Sequence, residues 1–152
     1  MLTPLNLPQV KLKLTQKGEK LFVWDDFRMK QVVLTPEEWV RQHFLHFLIS
    51  DRGVPKSLIA VEQGIEVNTL SRRCDAVIYN KSGAPIAIVE CKAPEIPLTE
   101  KTLHQIAQYN FKLRVNYLIL TNGLQTVTAI INSETKTIDY LKEVPTFSEM
   151  KE

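Results

Sequence analysis

The sequence predicts an α/β fold in which helices flank a mixed central sheet, in the core order helix, three strands, helix, strand (αβββαβ). Two observations carry this. Apolar residues recur at helical spacing behind two good N-caps, Thr35 and Thr99. Between and after these helices the chain turns to short β-branched runs closed by polar turns. A β-hairpin is predicted at each end. The 152 residues suit one domain: a β decoration over 1–34, the core over 35–132, and a closing strand and tail over 133–152.

Residues 1–9 hold two prolines and read as an irregular lead-in. Val10 to Leu14 alternates as a short strand, and Lys20–Trp24 with Phe27–Leu34 reads as a hairpin. Thr35 caps a helix with Pro36 at its first position and Glu38 completing a capping box. Val40, Phe44, Phe47 and Leu48 form its apolar stripe, and Gly53-Val54-Pro55 ends the unit. Leu58 to Val67 reads as one strand. Residues 72–79 and 85–92 read as a hairpin across Asn80–Ala84. The second helix runs to about Leu113, with Leu103, Ile106, Ala107, Asn110 and Leu113 on one side. Asn116 to Thr121 is a buried strand, 126–132 and 137–141 a closing hairpin, and the tail after Pro145 is expected to be loose.

Composition is that of an ordinary soluble globule, 44% apolar and 24% charged. A net charge of +2 gives no whole-molecule pull toward nucleic acid, so any such contact needs a local patch. There is no apolar run of transmembrane length and no signal-peptide layout at Met1, so a cytoplasmic location is expected. Three scattered histidines and two cysteines give no zinc spacing. Cys74 and Cys91 are expected to be buried thiols on the sheet face opposite the carboxylates.

The hairpin carries the chemistry. Glu90 and Lys92 share a strand face. A register setting Tyr79 opposite Ile86 also sets Asp75 opposite Glu90, Cys74 opposite Cys91 and Arg73 opposite Lys92, with cross-strand Cβ atoms ~5 Å apart. Like charges opposite each other destabilise a sheet. Two carboxylates beside a lysine suit a hard divalent cation held near a phosphate. The plain alternatives are exposed strand-end charges and a snorkelling lysine. Gln105 and Tyr109, four apart, stack on one helix side. Arg72, Arg73, Lys101, Lys112 and Arg114 are candidates for a phosphate-binding rim, against the reading of a solvated face.

Asp75 followed by Glu90-Cys91-Lys92 resembles the Asp…Glu-x-Lys signature of the PD-(D/E)XK nuclease superfamily. The flanking segments are more specific: Thr35–Gln42, Arg72–Asp75, Val89–Pro94, Gln108–Asn110 and Leu120–Gly123, in that order. Together they resemble the N-terminal nuclease domain of type I restriction enzyme R subunits, in a small stand-alone form, over roughly residues 30–132. The resemblance implies a restriction-endonuclease-like fold and a magnesium- or manganese-dependent hydrolase acting on DNA phosphodiesters. It admits restriction-modification subunits as companions. Asp75, Glu90 and the Cys91 carbonyl are then the metal ligands, and Lys92 acts on the attacking water or scissile phosphate. Glu37, aligned with a Glu-x-x-Val-Arg pattern ending at Arg41, is the helix carboxylate, preferred to Glu38. Gln105 and Tyr109 fit a Gln-x-x-x-Tyr motif that orients the substrate backbone or Lys92. Cys74 departs from the proline that many superfamily members carry before the aspartate. No P-loop is present. The alternative reading is a non-catalytic nucleic-acid-binding or assembly module that keeps the fold within a defence complex.

Overall fold

The computed structural model describes residues 2–62, 64–67 and 70–150, and for 64–67 and 70–73 it describes the backbone alone. A six-stranded mixed sheet forms the centre, in the order β11-β10-β9-β8-β7-β4. Its strands are β4 (Ile59–Val61), β7 (Ala76–Tyr79), β8 (Pro85–Cys91), β9 (Tyr117–Thr121), β10 (Thr126–Asn132) and β11 (Thr137–Leu141). Among the described residues only β8 and β9 pair in parallel, and a parallel pair needs a long crossover. Helix α2 (Glu100–Leu113) supplies it. Helix α1 (Pro36–Arg52) precedes β4, so the expected αβββαβ order is present.

Strand alternation sorts the core into two layers. Ala76, Ile78, Ala87, Val89, Cys91 and Ile119 pack against Val40, Phe44, Leu45 and Leu48 of α1. Val77, Ile88, Leu118 and Leu120 pack against Leu103, Ile106, Ala107 and Phe111 of α2. The N-cap of α1 forms as predicted, with the Glu38 N–H donating to Thr35 Oγ1 at 3.0 Å. Only that half of the capping box exists. The Glu38 side chain turns to Arg28, Arg41 and Gln42 instead.

Several expectations need correction. The N-terminal strand is β1 (Leu14–Lys17), not Val10–Leu14. With β2 (Lys20–Asp25) and β3 (Lys30–Val33) it makes a three-stranded sheet. The expected 58–67 strand is two, β4 and β5 (Gly64–Val67), because Glu62 between them takes a left-handed φ of 52°. Strand β5 pairs with β6 (Leu70–Arg73), so Arg73 lies opposite Gly64 and not Lys92. The expected first hairpin arm therefore breaks at Cys74-Asp75. There Asp75 Oδ2 accepts the Cys91 N–H at 2.7 Å, so a side chain meets a donor that a ladder would have given to a carbonyl.

The predicted register holds from Ala76↔Val89 to Ile78↔Ala87 and stops one residue short of the expected Asp75–Glu90 pair. At the turn end an irregularity sets Tyr79 opposite Pro85 rather than Ile86. The cysteines do not share a face: Cys74 joins the α2 layer and Cys91 the α1 layer. Both are buried and neither forms a disulfide. The tail is packed and not loose. Val144 and Met150 enter the α1 layer, and the Phe147 N–H donates to the Arg52 carbonyl at 2.7 Å.

Candidate active site

Asp75 is held at the bend before β7 from three sides. Arg41 Nη2 donates to its Oδ1 at 3.1 Å, the Cys91 N–H to its Oδ2, and the Glu62 N–H to its backbone carbonyl at 2.9 Å. Helix α1 brings Glu37 and Arg41 to the same place because they lie four residues apart, one turn along the helix. Arg41 Nη2 also contacts Glu37 Oε1 at 3.2 Å. Glu37 remains 45% exposed, whereas Arg41 is 5% exposed. The Glu37 carboxyl is pushed up, first by burial and then by the Asp75 charge, against the opposing pull of Arg41 and Lys92. Glu37, Asp75, Arg41 and Lys92 thus lie within electrostatic reach of one another.

Cys91 sits at the centre of this group. Burial raises its thiol well above the ordinary value, and the Asp75 charge adds to that. Arg41 opposes the rise, and Glu90 and Glu37 add to it. The thiol is therefore an inert filler, and the contact of Cys91 with Asp75 is made by its main-chain N–H. Glu90 is buried and Lys92 half-buried. The Lys92 N–H donates to the Thr121 carbonyl at 2.8 Å, which fixes the strand end. Asn122 steadies the neighbouring loops: its Nδ2 donates to the Ile96 carbonyl at 2.8 Å, and its Oδ1 accepts from the N–H groups of Leu124 and Gln125. Gly123 has φ 84°, and a Cβ there would meet Leu5 Cδ2 at 2.6 Å. The Thr-Asn-Gly segment thus joins the Lys92 loop to the lead-in.

Behind Arg41 lies a buried ionic lattice that sequence reasoning missed. Glu38 Oε1 accepts from both Arg28 and Arg41, and Glu62 bridges the same two guanidiniums at 2.9 and 3.6 Å. Arg28 also pairs with the fully buried Asp25. The one sequence signal was local, the spacing of Glu37 and Glu38 from Arg41. Arg28 and Glu62 arrive from distant segments and carry no local signal.

The donor set suits a hard cation. Two guanidiniums and the Lys92 ammonium stand against the five carboxylates of Asp25, Glu37, Glu38, Glu62 and Asp75, so negative charge is in excess. The carboxylates of Glu37 and Asp75 keep some exposure, 45% and 19%, and carboxylate oxygens are ligands magnesium prefers. Among the described residues, no three His, Cys, Asp or Glu side chains form a metal cage by themselves. A cation here would take Asp75, Glu90 and the Cys91 carbonyl, and complete its shell from substrate and water.

Gln105 and Tyr109 are exposed on α2. With Ile106, Gln108 and Lys112 they line an open depression of their own. Lys101 and Lys112 lie near one line of the helix, about 16 Å apart at its ordinary rise. Arg114 caps the far end of α2 with φ 57°. The side chains of Arg72 and Arg73 lie outside the described residues. No helix among the described residues is long and apolar enough to cross a membrane.

The fold is thus a mixed sheet between two helices, with Asp75, Glu90 and Lys92 at one end of β7 and β8. The family profile of the Type I restriction enzyme R protein N terminus (HSDR_N) matches residues 36–145, and the chain belongs to that family. The search of curated proteins finds no match. Among solved structures, the chain resembles a fragment of a candidate HsdR subunit of a type I restriction enzyme from Vibrio vulnificus YJ016. The TM-score is 0.54 and the identity 18%, over 77% of this chain and 24% of that one. The chain therefore spans about a quarter of that relative. A candidate nuclease of the DUF820 group from Anabaena variabilis ATCC 29413 aligns with TM-score 0.47 and 10% identity, over 90% of this chain and 87% of that one.

Proposed function

We propose that the chain is a metal-dependent nuclease that hydrolyses DNA phosphodiester bonds. The observation that carries this reading is Asp75 held between Arg41 and the Cys91 N–H at the ends of β7 and β8, with Glu37 on the same guanidinium and Lys92 next along the strand end. Asp75, Glu90 and the Cys91 carbonyl would hold magnesium or manganese. When bound, the ion lowers the pKa of a coordinated water and polarises the phosphoryl oxygen. Lys92 presents a compact positive charge where negative charge develops in the transition state. Glu37 prefers to hold a proton more than an ordinary glutamate does, which suits a group that accepts one from water. Arg41 fixes the Asp75 carboxylate and stays buried. Lys101, Lys112 and the Gln105–Tyr109 pair supply the substrate-facing surface of α2.

A second reading rests on a specific contact. Arg41 already neutralises Asp75 at 3.1 Å, as it would in a module that keeps the fold without cleaving. Purified protein incubated with linear, circular and single-stranded DNA, plus magnesium, manganese or chelator and no nucleotide, separates the two. Metal-dependent cleavage supports the nuclease. Metal binding without cleavage of any substrate supports the module.

A further inference from the structure

We infer that Arg28 and Glu62 are positioning residues for Asp75, which makes the N-terminal three-stranded sheet a working part of the site. The inference deepens the nuclease reading, since it rests on Asp75 as a site residue.

The family match begins at Pro36, so β1, β2, β3 and Arg28 lie outside it. Arg28 follows the end of β2, and its side chain is 15% exposed. All three of its nitrogens are engaged. Nε pairs with Asp25, Nη1 with Glu62 Oε2 at 2.9 Å, and Nη2 with Glu38 Oε1 at 2.7 Å. Asp25 is itself fixed, its Oδ1 accepting the Phe27 N–H at 2.8 Å. A planar fork held at three points is rigid, which a lysine could not reproduce.

Two of the three acceptors of Arg28, Glu38 and Glu62, also serve Arg41. Glu38 Oε1 is shared by both, and Glu62 offers one oxygen to each. Arg41 meets Glu37 and Asp75 through Nη2, and its buried Nε has no hydrogen-bond partner. Without Arg28, Glu38 and Glu62 lose their second cation, and the Nη1 edge of Arg41 is free to rotate among them.

Glu62 acts on Asp75 a second way. Its N–H donates to the Asp75 carbonyl at 2.9 Å. It does so from a left-handed φ of 52°, a conformation that costs a glutamate free energy and persists only where surrounding contacts demand it. One residue thus fixes the Asp75 backbone and, through Arg41, its carboxylate.

The test is a double-mutant cycle on the metal-free full chain, read by urea unfolding. Arg28→Gln and Asp75→Asn do not touch each other, so a purely local role for Arg28 makes their effects additive. Positioning through Arg41 makes the unfolding constant of the double variant depart from additivity roughly fivefold, within the range for coupled networks. Arg28→Gln paired with Gln108→Ala serves as the control and should be additive. A second readout tracks the Arg41 Nη resonances by NMR, which should be resolved in the wild type and merge in Arg28→Gln. Should Arg28→Gln fail to fold, Arg28→Lys takes its place, keeping the charge and losing the fork. Additivity within a factor of about two, with Arg41 resonances unchanged, overturns the inference. Because no metal or substrate enters the cycle, a failed nuclease reading and a failed positioning role give different results.

Discussion

Arg41 Nη2 lies 3.1 Å from Asp75 Oδ1, and Arg41 is 5% exposed. The carboxylate proposed as a metal ligand is thus paired with a buried cation that comes from the helix and not from the strands. This pairing orients Asp75. It also sets the balance against which any bound ion must act.

Neighbouring glutamates on α1 should respond oppositely to neutralisation. Glu38 is buried between Arg28 and Arg41, and removing one partner from such a lattice costs about 3–5 kcal/mol. Glu38→Gln should lower stability by about that amount in urea unfolding. Glu37 is half exposed and its carboxyl is pushed up by burial and by Asp75. Glu37→Gln should therefore be neutral or slightly stabilising, within about 1 kcal/mol. Equal losses in the two variants would contradict the assignment of their environments.

The same region gives stability opposite dependences on pH. Burial works to raise the Asp25 carboxyl, but the hydrogen bonds from Arg28 and the Phe27 N–H outweigh it, and the net shift is downward. A depressed carboxyl contributes stability above its unfolded value, lost as pH falls from about 4 through its folded value. Glu37 is shifted upward. Its contribution is present below the unfolded value of about 4.3 and is lost as pH rises through the folded one. Asp25→Asn should flatten the acid limb of the stability profile, and Glu37→Gln the decline above it. A profile unchanged by either substitution would refute both shifts.

The elements that local pattern specifies were legible in the sequence. Thr35-Pro36 and Thr99 set the helix starts, and the closing hairpin falls where alternation placed it. The β7–β8 register beside Asp75 was legible too, from Ala76↔Val89 to Ile78↔Ala87. The features that escaped depend on long-range contact. The break at Glu62 is stabilised by ion pairs to Arg28 and Arg41, far apart in sequence. The split of the cysteines between faces comes from the bend at Asp75, which a regular hairpin cannot foresee. The tail docks through Val144 and Met150, two apolar residues without period.

Excess carboxylate should also make the protein respond to cations. Magnesium or manganese should raise the melting temperature, with about 2.7 kcal/mol of added stability at a hundredfold excess over Kd. Asp75→Asn and Glu90→Gln should each abolish that rise. Manganese binding by calorimetry provides the check. Equal affinity in wild-type and Asp75→Asn proteins would remove Asp75 from the ligand set.

The most direct measurement is single-turnover cleavage of DNA by wild-type and Lys92→Ala proteins, with manganese affinity measured in parallel. Lys92 is proposed to act on the transition state and not on the cation. Its loss should cut the rate by ~10²–10³ while leaving metal affinity nearly intact. Cleavage should need a divalent metal and no nucleotide. A wild-type protein that binds metal but cleaves no nucleic acid, and that Lys92→Ala matches in every assay, would contradict the nuclease account.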